Sequence, residues 1–317
     1  MNRREMLIKA SAALSAALAG PAFAAEPIKE LRIGYQKIGA LLIVKAQKVL
    51  EQRFEPQGVS VRWVEFNFGP PLLEALAAGA IDYGYTGDAP PIFAQAAHAN
   101  LLYAATIPTR GYGQAIVVPA DSPIQDIAGL KGKKVAVAKA SSAHNLLIAA
   151  LESVKVPWTA ITPVYLAPPD AASAFARGAV DAWSIWDPFF AIAELKQKAR
   201  ALPLDRKVSA QNSFFLVNAG FAAKHPSVVA TINGAIATAT TWADRHRDQV
   251  AAILAEASGV DLAAENRSVE RAEFTFGPLN DDVLGEQQAV ADRFQRLGLI
   301  PAPIHVRDIV WPWKSNT

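Results

Sequence analysis

The sequence predicts an α/β fold with two lobes of similar build and a ligand cleft between them. The main observation is a motif that occurs twice, in which a helix rich in small apolar residues ends at a Gly and leads into a short aromatic strand. A second Asp, closely followed by Pro, ends each copy. Gly79 and Asp88 mark the first copy and Gly178 and Asp187 the second. Two similar strand–turn–helix openings and a mostly helical C-terminal part complete the pattern.

Each part of the motif has a local physical reason. Gly adopts the left-handed conformation after a helix without a Cβ clash. Asp shortly before Pro is typical of a helix start, where the carboxylate caps free N–H groups. Each copy therefore predicts a strand whose carboxyl end meets a helix N-terminus, and ligands of open α/β sheets bind at that edge. The alternative is a chance similarity between two ordinary helix–strand–helix units.

Residues 1–24 have the composition of a secretory signal peptide. Paired arginines and Lys9 precede a short apolar run, and Ala22-Phe23-Ala24 is a typical cleavage site. We expect an exported protein that begins at Ala25, with the twin-arginine and general export routes both open. The apolar run is too short for a membrane anchor.

Composition excludes several classes of function. Residues 1–24 hold three of the 31 basic and one of the 29 acidic residues, so 28 of each remain in the mature chain. Such a balance lacks the basic surface of a nucleic-acid binder. The chain has no cysteine, which excludes disulfides, thiolate metal sites and a thiol nucleophile.

The elements follow the order expected of two α/β lobes. In the first lobe we predict strands at 31–36 and 59–66, helices at 41–54 and 88–99, and a strand at 101–107. The strand at 114–118 is the predicted first crossing between the lobes. The second lobe opens with a strand at 134–139 and a helix to about Val154, then a strand at 162–166. A strand at 212–217 is the predicted return crossing, and helices at 227–245, 249–257 and 282–297 pack on the first lobe.

These elements define the expected domains. We predict one discontinuous lobe from residues 25–115 and 219–317, and a second lobe from residues 116–218. Two crossing strands then form a hinge, and a cleft between domains is a favoured ligand site.

Motifs for enzymatic chemistry are absent from the sequence. There is no nucleophile elbow, Walker A loop, dinucleotide-binding motif or zinc-protease motif. The five histidines have no metal-ligand spacing, so no metal or other cofactor is expected. Asp88 and Asp187 remain as an alternative: a general acid/base pair across the cleft. Helix caps explain both carboxylates without further assumptions.

The sequence from Ser141 to Asn145 predicts an anion site. With Ser141 as N-cap, the first amide N–H groups of the following helix are free to bind an anion. Two hydroxyl groups and the amide of Asn145 add neutral donors, and His144 fits a neutral donor better than a catalytic base. Trp183, Trp186 and Phe214 are candidates for apolar cleft walls. The alternative is a capped helix that binds nothing.

Four segments carry a family resemblance: RIGYQK (32–37), EALAAGAIDYGYTGDAPPIFAQAA (74–97), LKGKKVAVAKASSAHNLL (130–147) and VDAWSIWDP (180–188). They closely resemble the aliphatic sulfonate-binding proteins of bacterial ABC importers. That resemblance implies a two-lobed type II periplasmic binding protein that acts as a monomer. It also implies an organosulfonate ligand and, as partners, a membrane permease with its cytoplasmic ATPase. Taurine and nitrate stay open as alternative ligands.

The resemblance also implies the ligand-binding residues. On the first-lobe side and at the anion site they are Gln36, Thr86, Gly87, Asp88, Ser141, Ser142, His144 and Asn145. Trp186, Asp187, Asn212 and Ser213 would close the site from the other side.

The sequence departs from the family pattern in two places. The loop 37–40 is short, and Ala140 stands where a Gly is common. Arg110 lies in a loop unlike that of the family; it is either a cleft residue or, as the simpler interpretation, a surface residue.

Overall fold

A computed structural model describes residues 28–313, which form two five-stranded sheets with helices on their faces. The strands are β1 Glu30–Tyr35, β2 Ser60–Glu65, β3 Tyr83–Thr86, β4 Leu101–Thr109, β5 Gln114–Pro119, β6 Lys134–Val137, β7 Thr162–Tyr165, β8 Ala182–Trp186, β9 Ala199–Ala201 and β10 Gln211–Asn218. The α-helices are α1 Gly39–Ala46, α2 Val49–Phe54, α3 Gly69–Ala77, α4 Ala89–Ala96, α5 Ser142–Ser153, α6 Pro168–Ala176, α7 Phe189–Gln197, α8 Arg206–Ser209, α9 Ala219–Lys224, α10 Pro226–Arg245, α11 Arg247–Ser258, α12 Leu262–Arg271 and α13 Asp281–Arg296.

The two sheets have the same design. The first has the order β2-β1-β3-β10-β4 and the second the order β7-β6-β8-β5-β9. In each, three parallel strands are followed by an antiparallel strand, which is β10 beside β3 and β5 beside β8. The two copies of the sequence motif form β3 and β8, which occupy equivalent positions. This is the predicted α/β fold with two lobes.

The return strand differs from the prediction. The predicted return crossing at 212–217 falls in the predicted second lobe, 116–218, but β10 pairs with β3 and β4 in the first sheet. Its residues alternate between the two helical layers of that sheet, because Phe214 packs beside Tyr103 and Phe215 beside Tyr83 on the other face. The chain therefore returns to the first lobe before Gln211. The boundary after residue 115 stays a prediction.

Two short segments connect the sheets and contact each other. The first lies between β4 and β5, and the second precedes β10. Thr109 donates its hydroxyl to the carbonyl of Gln211 at 2.7 Å, and Gln114 donates Nε2 to the carbonyl of Ser209 at 2.7 Å. Gly111, with a φ of 74°, passes so close to the backbone of Ser209 that a Cβ has no room. These contacts make the two connections one structural unit.

The apolar cores explain how the lobes are held together. One cluster fills the second lobe, and two clusters cover the two faces of the first sheet. Ile148 of α5, a second-lobe helix, belongs to the first-lobe cluster that also holds Phe294 of α13. Apolar packing therefore joins the lobes along one side.

Within residues 28–313, no helix has the length and apolar character to cross a membrane. The predicted signal peptide, residues 1–24, lies outside the described residues.

Candidate functional site

A cavity of about 150 Å³ lies between the two lobes, where strands of both sheets end. Eight of the twelve residues predicted to bind a ligand line this cavity: Gln36, Thr86, Gly87, Ser141, Ser142, Trp186, Asp187 and Ser213. The sequence motif and the topology bring these residues together, because β1, β3, β6 and β8 all end at the cavity.

The N-terminus of α5 forms the anion-attracting side of the cavity. Ser141 is the N-cap, and its hydroxyl accepts the amide of His144 at 3.4 Å and donates to the carbonyl of Ala138 at 2.7 Å. The first amides of a helix have no partner inside the helix and lie at the positive end of its dipole. Ala140, just before the cap, has a φ of 59°, a left-handed conformation that explains why Gly suits this position.

The first lobe supplies neutral polar groups opposite this helix. Gln36 donates Nε2 to the carbonyl of Tyr85 at 3.0 Å, and the hydroxyl of Tyr85 donates to Ser213 Oγ at 3.1 Å. Gly87 faces Ser142 across the cleft, where a Cβ on Gly87 would lie 2.8 Å from the Cβ and Oγ of Ser142. The lobes can approach this closely because residue 87 has no side chain.

Asp187 follows β8 and is almost fully buried. Its Oδ1 accepts the amide of Ala191 in the first turn of α7 at 3.0 Å, so the carboxylate caps that helix. Burial raises the pKa of Asp187 to about 7, although the nearby guanidinium of Arg271 lowers it.

Arg271 is a charged cavity residue that was not predicted from the sequence. It ends α12, lines the cavity, and has a side chain that is 8% exposed. Its Nη1 lies 3.4 Å from both carboxylate oxygens of Asp187, its Nη2 pairs with Glu194, and its guanidinium stacks over Phe190 at 4.0 Å. A basic residue in the last turn of a helix is common, and nothing in the sequence links this one to Asp187.

Asp88 does not line this cavity. It is buried as the N-cap of α4, where Oδ1 accepts the amide of Ala89 at 2.7 Å. Its Oδ2 accepts Asn145 Nδ2 at 2.6 Å, and burial raises the pKa of Asp88 to about 6. Both carboxylate oxygens thus accept hydrogen bonds outside this cavity: Oδ1 within the first lobe and Oδ2 from Asn145 of the second lobe.

His144 and Asn145 lie on the far side of α5. His144 packs between Trp158, Tyr165 and the stacked ring of Phe294. Burial lowers the pKa of His144 to about 4, so the ring is neutral at pH 7. Asn145 accepts Arg293 Nη1 at 2.9 Å in addition to its bond to Asp88.

Asn212 also faces away from the cavity and donates Nδ2 to Glu286 at 2.8 Å. The periodicity of helices and strands explains why these side chains miss the cavity, because residues adjacent in sequence to a cavity residue project in other directions. We therefore leave Asp88, His144, Asn145 and Asn212 out of the candidate site.

The apolar walls differ in part from the prediction. Trp186 lines the cavity, whereas Trp183 is buried in the second-lobe core and Phe214 in the first-lobe core. Tyr85 and Phe274 form walls that the sequence did not predict. Arg110 has a side chain that is 79% exposed and lies 3.8 Å from Glu273, so it belongs to the surface.

In the part of the chain that the structure describes, no group of three or more potential His, Asp or Glu metal ligands comes together. The site is built from neutral donors, a helix N-terminus and aromatic rings, together with the Asp187–Arg271 pair and Glu273. These groups can bind a small anion.

Comparisons with known proteins agree with this description. Residues 24–258 match the model of the NMT1-like family. A curated protein of Escherichia coli (strain K12), named as an aliphatic sulfonates-binding protein, is 40% identical over 294 residues, covering 92% of this chain and 91% of the relative.

Two solved structures are also similar. The alkanesulfonate-binding protein SsuA from Xanthomonas axonopodis pv. citri, bound to MOPS, has a TM-score of 0.86 and 41% identity, covering 91% of this chain and 99% of that one. The periplasmic aliphatic sulphonate-binding protein SsuA from Escherichia coli has a TM-score of 0.81 and 39% identity, covering 90% and 98%.

Proposed function

Because the chain belongs to the NMT1-like family and to the family of aliphatic sulfonate-binding proteins, we propose that it is the solute-binding protein of an ABC importer for aliphatic sulfonates. The main observation in support is the cavity between the lobes. The N-terminus of α5 lies at this cavity, with Ser141 and Ser142 among its lining residues. The named ligands of the relatives are sulfonates.

The chemistry of the cavity supports this function. A sulfonate stays ionised at any physiological pH, so its binding site needs hydrogen-bond donors that do not depend on pH. Free amides of a helix start, the hydroxyls of Ser142 and Thr86 and the amide of Gln36 are such donors. Trp186, Tyr85 and Phe274 offer apolar surface to an alkyl tail.

We assign ligand contact to the eight predicted residues that line the cavity, together with Arg271. Ser141 and Ser142 would face the sulfonate oxygens, with Thr86 and Gly87 on the opposite lobe. Trp186 and Ser213 would contact the tail side. Asp187 acts as a cap and as the partner of Arg271.

A ligand held by both lobes would bind the closed arrangement more tightly than the open one, and this difference in affinity would favour closure. The paired connections beside Gly111 are the proposed hinge. In an importer, this protein would act as a monomer in the periplasm and pass its ligand to a membrane permease with a cytoplasmic ATPase.

The proposed role is binding without turnover. The enzyme alternative needs Asp88 and Asp187 at one reaction site, but the Asp88 carboxylate is buried against Ala89 and Asn145 outside the cavity. Incubation of the protein with an alkanesulfonate should release neither sulfite nor aldehyde.

Thermal denaturation of residues 25–317 tests the function directly. The panel comprises ethanesulfonate, butanesulfonate, taurine, nitrate, sulfate and the matching carboxylates. A ligand at 100 times its dissociation constant stabilises the folded protein by about 2.7 kcal/mol, a clear rise in the melting temperature. A rise with sulfonates alone supports the proposal. A rise with nitrate alone, or with no compound, contradicts it.

A further inference from the structure

The ion pairs between the two lobes have a common polarity. In the part of the chain that the structure describes, six ion pairs join a side chain of the first lobe to one of the second. In five of them the first lobe supplies an arginine and the second lobe a carboxylate. These five are Arg267–Glu194, Arg271–Glu194, Arg271–Asp187, Arg293–Glu152 and Arg296–Glu152, and the sixth, of opposite polarity, is Asp261–Lys196.

On one flank of the cavity, the pairs follow each other in order along α7 of the second lobe and α12 of the first. Asp261, the N-cap of α12, lies 3.1 Å from Lys196 near the end of α7. Farther along α12, Arg267 and Arg271 both pair with Glu194, which comes earlier in α7. The two helices therefore meet in an antiparallel register that opposite charges hold, and we call this contact the α7–α12 seam.

On the other flank, α5 of the second lobe is held by α13 of the first. Glu152 accepts Nε of Arg293 at 2.8 Å and lies 3.9 Å from Arg296, and both arginines are in the last turn of α13. This contact, the α5–α13 seam, lies far from the cavity. Glu152 is ten residues after Ser142, which corresponds to about 15 Å along a helix.

Both seams bear on the opening of the cleft, because separating the lobes breaks their pairs while each lobe stays folded. A single exposed ion pair contributes little and is screened by salt, whereas several charges in a network contribute more. Ion pairs inside one lobe, such as Arg62–Glu30 in the first, are the same in the open and closed arrangements. Only the pairs between the lobes favour the closed arrangement.

We infer that the α7–α12 and α5–α13 seams hold the unliganded protein partly closed, so that salt and the seam charges set its closed fraction and, through it, the ligand affinity. This inference rests on the proposed function and adds a means of regulating the same site. The apparent affinity for a ligand falls in proportion to the fraction of molecules in the binding-competent arrangement. Glu152 and Glu194 should therefore affect binding although neither lines the cavity.

Single-molecule fluorescence energy transfer measures the closed fraction directly. The chain has no cysteine, so Gln57→Cys and Ala128→Cys place one dye on each lobe. Both positions are exposed and precede β2 and β6, at the ends of the sheets away from the cavity. Between 0.01 and 1 M sodium chloride the Debye length falls from about 30 Å to about 3 Å. We expect the unliganded protein to change from mostly closed to mostly open over this range.

Two charge variants test the link to affinity. Glu152→Gln and Glu194→Gln each remove a carboxylate that pairs with two arginines. Each should lower the closed fraction at low salt and weaken ethanesulfonate binding by about three- to fivefold, as measured by calorimetric titration. The sign is diagnostic, because loss of a negative charge alone would strengthen the binding of an anion. Glu30→Gln is the matched control: Glu30 is 46% exposed, against 38% for Glu152, and its pair lies within one lobe.

The outcomes separate this inference from the proposed function. A closed fraction that does not respond to salt contradicts the inference and leaves a sulfonate binder whose closure depends on the ligand alone. Unchanged or tighter binding in both variants also overturns it. Binding of no sulfonate contradicts the proposed function, whereas the salt response of the unliganded protein still decides whether the seams hold the lobes. The salt series needs neither charge variant to fold.

Discussion

Ser141 and Ser142 are neighbours with different physical roles, and substitution should separate them. The hydroxyl of Ser141 caps α5 and bonds to Ala138, whereas the hydroxyl of Ser142 faces the cavity beside Gly87. We expect Ser141→Ala to lower the free energy of unfolding by about 1 kcal/mol, a typical loss for an N-cap. Ser142→Ala should leave that free energy unchanged and weaken ethanesulfonate binding.

Urea unfolding and calorimetric titration of both variants make the comparison. Each variant controls for the other, because they differ by one position on the same helix start. Loss of stability in Ser142→Ala with intact affinity would reverse the assignment.

His144 should influence stability as a function of pH, with no effect on binding. Its pKa is about 4 in the folded protein, below the ordinary value of 6.5, because burial disfavours the charged ring. The stability from its neutral form is complete above pH 6.5 and is lost as the pH falls towards 4. Relative to His144→Phe, the wild type should therefore lose up to about 3 kcal/mol between pH 6.5 and 4.

Guanidinium unfolding at half-unit pH steps measures that difference. The dissociation constant for ethanesulfonate at pH 7.5 should match the wild type, because the ring faces Trp158 and Phe294 away from the cavity. If the free energy of unfolding changed with pH in the same way in both proteins, burial of His144 would not lower the pKa of the ring.

At the residue scale, the sequence predicted positions at strand ends well and side-chain directions poorly. Gln36, Thr86 and Ser141 lie at the cavity because each is at, or shortly after, the end of a strand that ends there. His144 and Asn145 are three and four positions after Ser141 along α5 and contact helix α13 of the first lobe. Arg271 was missed because its partner Asp187 is 84 residues away.

At the scale of elements, α12 joins the lobes through one buried charge cluster. It packs on the first lobe through Val269 and contacts α7 of the second lobe through Arg271, Arg267 and their shared partner Glu194. Only Arg271 is buried; the side chain of Arg267 is 49% exposed and lies 3.8 Å from Glu194. Burial therefore decides which of these pairs matters for stability.

Arg271→Met should lower the free energy of unfolding by about 3 kcal/mol, because it leaves Asp187 and Glu194 without their shared cation. Arg267→Met, one turn earlier on the same helix, should change it by less than about 1 kcal/mol. Chemical unfolding at pH 8, where carboxylates are most ionised, gives the sharpest contrast. Equal small losses in both variants would mean that the cluster contributes nothing net.

The elements themselves were largely predictable, and the exceptions have local causes. Gly79 and Gly178 take positive φ values after their helices, as the repeated motif predicts. The predicted helix 41–54 is instead divided into α1 and α2, because Lys48 adopts a left-handed φ of 54°. The sequence has no Gly or Pro at this point that would indicate a break. The sheet for β10 was also not predictable, since an apolar strand fits either lobe until its partners are known.

At the scale of the molecule, the lobes meet on both flanks of the cavity. One flank joins α5 to α4 and α13 through Asn145 and the stacked rings of His144 and Phe294. The other joins α7 to α12 through Arg271. Between them, Gly87 and Ser142 meet directly beside the proposed anion site. Ligand affinity should therefore depend on how closely the lobes approach at this point.

Gly87→Ala tests that dependence, since its Cβ would lie 2.8 Å from the Cβ and Oγ of Ser142 and 4.0 Å from the Cα. An overpacked contact costs about 1–3 kcal/mol, so ethanesulfonate should bind about tenfold or more weakly. In the background of Ser142→Gly, which removes both crowded atoms, Gly87→Ala should have almost no further effect. Titration of the four proteins gives a double-mutant cycle in which the two substitutions are strongly coupled. Additive effects would mean that the lobes bind the ligand without close approach at this point, and the closure proposed for this protein would then have to occur elsewhere in the cleft.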